Sequence, residues 1–106
     1  MNSHRLETFR GGWFVGAFQP RLIASDHIEV AVKRYAAGDA EGRHVHRIAT
    51  ELTLIASGKV RMNGVVWTQG DILEILPGES TDFLALEDTI TVVVKTPSAP
   101  DDKYPG

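Results

Sequence analysis

Residues 38–58 read GDAEGRHVHRIATELTLIASG, and the spacing of a few side chains within them decides how the rest of the chain is read. His44 and His46 stand two apart. On a strand, side chains two apart project from one face, so both imidazoles point the same way. On a helix they would diverge by about 200°. Two imidazoles on one face can share an ion at the roughly 2.0–2.1 Å that a first-row metal needs. Glu51 comes five residues after His46, so strict alternation puts its carboxylate on the opposite face. A corner or bulge within Arg47-Ile48-Ala49-Thr50 is therefore expected, turning the chain so that Glu51 re-aims at the imidazoles. With that turn, two histidines and a carboxylate form a ligand set with open coordination positions. The plain alternative pairs Glu51 with Arg43 or Arg47 at a loop edge.

Outward from this stretch, glycine or proline interrupts nearly every segment, and β-branched runs fill the gaps. Residues 28–35, 51–56, 59–63, 65–68, 72–76, 82–86 and 90–96 read as strands. Short strands with turn signals at regular spacing predict an all-β sandwich or barrel. Asn63-Gly64 is the best hairpin signal, because both positions tolerate positive φ. Gln69-Gly70-Asp71 and Pro77-Gly78 mark further turns. Residues 51–56 are apolar on both faces, and Ile90-Thr91-Val92-Val93-Val94 repeats the pattern. A strand covered on both sides implies another layer over it, and a homodimer is expected. Trp13, Phe14 and Phe18, within residues 11–19, are too apolar to leave in water, so this segment should pack on the barrel or on a partner subunit. The expected organisation is one domain over residues 1–106. Its barrel core spans about 28–96, with an N-terminal arm at 1–27, polar and loose over its first ten residues, and a loose tail at 97–106.

Composition narrows the chemistry. At 106 residues the chain suits one domain. Its net charge of −3 argues against a nucleic-acid partner. There is no cysteine, which rules out thiolate ligands, thiol nucleophiles and disulfides. Any metal must be held by nitrogen and oxygen. The longest apolar stretch near the start, Trp13 to Phe18, is too short for a secretory signal or a membrane span, so a cytoplasmic protein with no membrane partner is expected.

Gly38, five residues, His44, one residue, His46, four residues, Glu51, six residues, Gly58: this order resembles the first motif of the cupin superfamily at every fixed position. The run from His44 to Glu51 also has the ligand spacing of germin-type cupins. Gly70-Asp71 followed by Pro77-Gly78 resembles the second motif, with the proline offset by one position. The resemblance covers about residues 28–96. It implies a double-stranded β-helix, or jelly-roll barrel, of six or more strands. His44, His46 and Glu51 would hold a divalent Fe, Mn, Ni or Zn ion in its mouth. The second motif ordinarily supplies a further histidine three residues after the position of Gly78, and here Thr81 stands there with Asp82 next. Asp82 then serves as the fourth ligand, or water fills the place, or the site binds metal weakly or not at all. Strict alternation turns Thr81 and Phe83 inward and Asp82 outward, which favours water.

The expected function is that of a metal-dependent enzyme on a small oxygen-rich molecule, oxygenase-like or isomerase-like. Glu74 or Asp82 is the candidate base, and Lys95, Arg61, Trp67 and Tyr35 are candidate cavity residues. The alternative is a binding or sensor module that holds a small molecule without catalysis.

Overall fold

Alternation sorts inside from outside along each strand. In residues 80–85, Thr81, Phe83 and Ala85 are buried, while Ser80, Asp82 and Leu84 are less so. In residues 89–93 the buried set is Thr89, Thr91 and Val93. The structure, a computed structural model, describes residues 1–106. Its ten strands, in chain order, are β1 (Trp13–Val15), β2 (Glu29–Tyr35), β3 (Ala40–Val45), β4 (Thr50–Ser57), β5 (Lys59–Met62), β6 (Val65–Thr68), β7 (Ile72–Ile75), β8 (Ser80–Ala85), β9 (Thr89–Thr96) and β10 (Tyr104–Pro105). They form two antiparallel five-stranded sheets, ordered β1-β2-β9-β4-β7 and β10-β3-β8-β5-β6. This is the all-β architecture expected.

The inner faces meet in a core of Ile55, Val60, Met62, Ile75, Phe83 and Ala85, with Tyr35, Trp67 and Leu73 packed against it. Full burial of the larger of these side chains, all but Ala85, stabilises by about 1.5–3 kcal/mol each. Position along β4 divides the interior: Ile55 belongs to the core, whereas Glu51 and Thr53 line a cavity. Asn63 and Gly64 turn the β5–β6 hairpin at φ 52° and 76°, with Met62 opposite Val65. Gly58 has φ 99°, and a Cβ there would lie 2.4 Å from Thr89 Oγ1 and 2.5 Å from the Asp88 carbonyl oxygen. No other residue fits there without moving backbone.

Three expectations need correction. Residues 40–45 form β3 although they lack the β-branched run that marks the other strands; pairing with β8 and β10 supplies what local propensity does not. The tail is not loose. Tyr104 and Pro105 pair with Val45 and His44, and Glu29 Oε1 accepts hydrogen bonds from Ser98 Oγ at 3.1 Å and the Ala99 N–H at 2.8 Å. The first ten residues are ordered into short 3-10 turns, with Glu7 3.2 Å from Arg34. The apolar segment packs as expected, because β1 hydrogen-bonds to β2 and Trp13 meets Phe18 edge to face at 6.4 Å.

Candidate functional site

β3 carries His44 one residue before its end, and the chain then leaves the second sheet. Residues 46–49 form the corner that takes it across to β4, which supplies the turn demanded by the spacing of His46 and Glu51. The C-terminal segment holds this corner. Asp102 Oδ1 accepts the Arg47 N–H at 2.9 Å, and Oδ2 accepts those of Ile48 and Ala49 at 3.0 Å. Burial pushes the Asp102 carboxyl up, but the three backbone N–H groups outweigh this and hold it below its ordinary value. The Arg47 guanidinium stacks over Tyr104, 3.8 Å from the ring centroid.

The same segment fixes the chemistry of His46, whose Nδ1 donates to the Asp102 carbonyl oxygen. A carbonyl only accepts, so Nδ1 carries a proton and Nε2 is left to face the interior. His44 repeats the arrangement, with Nδ1 3.0 Å from the Gly42 carbonyl oxygen. The two rings meet edge to face with centroids 5.2 Å apart. His46 Nε2 lies 3.3 Å from Glu51 Oε1, yet the alignment makes no hydrogen bond, and it stands as a buried nitrogen without a partner. Glu51 Oε2 accepts the Thr53 hydroxyl at 2.8 Å. Lys95 is opposite Glu51 in the β4–β9 register and brings its ammonium to 4.0 Å from Oε1. Burial pushes the Glu51 carboxyl up, but His46, Thr53 and Lys95 together hold it low. The pKa of His46 is raised chiefly by Glu51, against burial and with help from the Asp102 carbonyl. As the side chains stand, no three His, Asp or Glu groups gather at one point. Glu51 pairs with neither Arg43 nor Arg47; its partners are His46 and Lys95.

The remaining candidates divide. Thr81 is buried on the cavity wall, paired in register with His44. Asp82 is committed elsewhere: Oδ1 accepts the Asn63 N–H at 2.7 Å and Oδ2 lies 3.4 Å from the Arg43 guanidinium. Asp82 nevertheless lines the same cavity as the histidines. Glu74 is exposed on β7 and lies outside the cavity, as does Arg61 on β5. Trp67 packs against the core instead.

His44, His46 and Glu51 share a cavity of about 160 Å³ with Trp13, Lys33, Tyr35, Glu41, Lys95 and Lys103. The Tyr35 hydroxyl donates to Glu41 at 3.3 Å. Burial, followed by the Glu41 charge, pushes the phenol far above its ordinary value, so it acts as a donor and not as a base. Sequence reasoning missed Asp102, Lys33 and Glu41. Lys33 was within reach, because it alternates with Glu29, Ala31 and Tyr35 on the inward face of β2. Nothing local connects position 102 to position 46.

Comparison with solved structures gives this architecture its class. A double-stranded β-helix protein from Klebsiella pneumoniae matches with a TM-score of 0.64 and 26% identity, over 70% of this chain and 66% of that one. An RmlC-like cupin from Shewanella frigidimarina matches with a TM-score of 0.66 and 20% identity, over 72% and 71%. A sugar phosphate isomerase of the cupin superfamily from Silicibacter pomeroyi matches with a TM-score of 0.61 and 19% identity, over 66% of this chain but only half of that one. The chain shares the double-stranded β-helix fold of these proteins. No protein-family model and no functionally curated protein matches the sequence. No helix is long and apolar enough to cross a membrane.

Proposed function

We propose that this protein is a metal-dependent enzyme acting on a small oxygen-rich molecule, with His44, His46 and Glu51 as the metal ligands. The observation that carries the reading is His46 Nε2, a buried nitrogen with no hydrogen-bond partner, aimed at a carboxylate 3.3 Å away. With Nδ1 committed to a carbonyl, Nε2 presents either a lone pair or an extra proton to Glu51. The raised pKa of His46 favours the second state, an imidazolium facing Glu51, and a divalent ion would take that proton's place between the two groups. Both imidazoles are oriented by backbone carbonyls through Nδ1, the outer support that metal-bound histidines ordinarily have. Two imidazoles and a carboxylate are donor types that suit a divalent ion, and the side chains would have to move together to gather around it. Bound there, Fe, Mn, Ni or Zn would polarise a substrate carbonyl as a Lewis acid. The protein's own part is to orient and exclude. Asp102 fixes His46, Thr53 fixes Glu51, and Glu41 holds the protonated Tyr35 hydroxyl on the wall.

Two observations favour a second reading, a binding module without metal. Lys95 already places a positive charge beside Glu51, and three ligands do not yet converge. Elemental analysis of protein purified without chelator separates the two. The first reading expects one divalent ion per chain, lost in His46→Ala. The second expects none, with a small molecule still bound.

The proposal extends to a homodimer. The outer face of the first sheet leaves Leu52 and Ile72 exposed, 38% and 64%, beside the half-buried Leu54, Val92 and Val94.

A further inference from the structure

Lys33 and Lys95 lie on the inward faces of neighbouring strands, and both reach towards the Trp13 ring, with ammonium groups 5.3 Å and 5.0 Å from its centroid. Two like charges on one indole is a costly arrangement, and the nearby carboxylates do little to relieve it. Glu29, opposite Lys95 on β2, is occupied by Ser98 and Ala99. Asp82 is held by Arg43 and Asn63. Glu41 takes the Tyr35 hydroxyl, and Glu51 is shared among His46, Thr53 and Lys95. Lys33 has no ion pair at all, although burial pushes its pKa down, opposed by Glu41 and reinforced by Lys95 and Lys103. A partly desolvated ammonium without a counter-ion is unfavourable. A second polar group is also unsatisfied here: Thr91 Oγ1, buried on the same wall and opposite Lys33 in the β2–β9 register, has no hydrogen-bond partner.

From these positions we infer that the cavity takes a small hydroxy-carboxylate, its carboxylate seated between Lys33 and Lys95 and a hydroxyl reaching Thr91. The cations on the wall are all lysines, with no arginine fork. Planar bidentate recognition of phosphate relies on arginine, and Glu41 and Glu51 would repel a dianion more than a single carboxylate. The cavity of about 160 Å³ is small beside the roughly 300–1,000 Å³ of drug-sized sites, which suits a ligand of few atoms. The inference rests on reading this cavity as the substrate site, and not on the metal.

The test is calorimetric titration of the chelator-treated protein with two matched pairs, D-glycerate against glycerol and D-gluconate against sorbitol, with inorganic phosphate alongside. The expected result is at least tenfold tighter binding of the acid than of its alcohol in one pair, weakening as salt is raised. Lys33→Met should remove that preference and Lys33→Arg should keep it. Equal affinity within both pairs, no binding of either acid, tighter binding of phosphate, or a preference that survives Lys33→Met would overturn the inference. Metal content is measured separately, on wild-type and variant protein purified without chelator. Loss of acid binding with metal uptake intact counts against this inference alone, and acid binding without metal counts against the metal reading alone.

Discussion

At the scale of single residues, the site depends on one side chain from the far end of the chain. Asp102 makes three backbone hydrogen bonds through its carboxylate and a fourth, through its carbonyl, to the imidazole of His46. Breaking a charge-assisted set of this kind should cost about 1.5–3 kcal/mol. Asp102→Ala keeps the carbonyl that orients His46 but frees the corner, so it should lower the midpoint of chemical denaturation and weaken metal uptake by roughly tenfold, the lower end of the effect of losing an outer support. The pH dependence has a definite sign. The carboxyl is held below its ordinary value in the folded chain, so its contribution is fully present above the ordinary carboxylate range and disappears as pH falls through the lower folded value. Asp102→Asn should flatten the acid limb of a stability–pH curve while leaving its neutral limb parallel to the wild type. An acid limb of unchanged steepness contradicts the clamp. The histidines and Glu51 were legible in the sequence because strand geometry gives their spacing a meaning. Asp102 was not, because two adjacent aspartates among prolines look solvated until the fold brings them to the 46–49 corner.

At the scale of elements, the strands that announced themselves were those with β-branched runs, and β9 and the β5–β6 hairpin lie where their residues point. β10 did not announce itself, and β3 did so only through the spacing of His44 and His46, since a strand made of Ala40, Glu41, Gly42, Arg43, His44 and Val45 exists only because its neighbours pair with it. The tail was misread for the same reason, as composition reports what a segment prefers alone and not what docks it. β4 spans both halves of the interior, so its residues should separate stability from site. Ile55→Ala removes a fully buried core side chain and should cost about 2–5 kcal/mol in urea denaturation. It should leave metal content per folded chain unchanged, because Ile55 lies outside the cavity lining. A comparable loss of metal would mean that core and site are not separable along this strand.

At the scale of the whole molecule, two sheets that enclose a cavity still leave an apolar outer face. Sedimentation velocity should find a dimer, and Ile72→Glu should yield a monomer, since a buried unpaired carboxylate costs more than a small interface can repay. A monomeric wild type contradicts that assignment and leaves the site untouched. The central claim concerns the interior, where the imidazoles of His44 and His46 and the carboxylate of Glu51 close on one ion. A crystal structure of metal-replete protein, with anomalous data collected across the Mn, Fe, Ni and Zn edges, measures this most directly. The account predicts a single anomalous peak at roughly 2.0–2.2 Å from an Nε2 of each histidine and an oxygen of Glu51, with Lys95 displaced from the carboxylate. A cavity without a peak, with Lys95 and His46 still closed on Glu51, would contradict it.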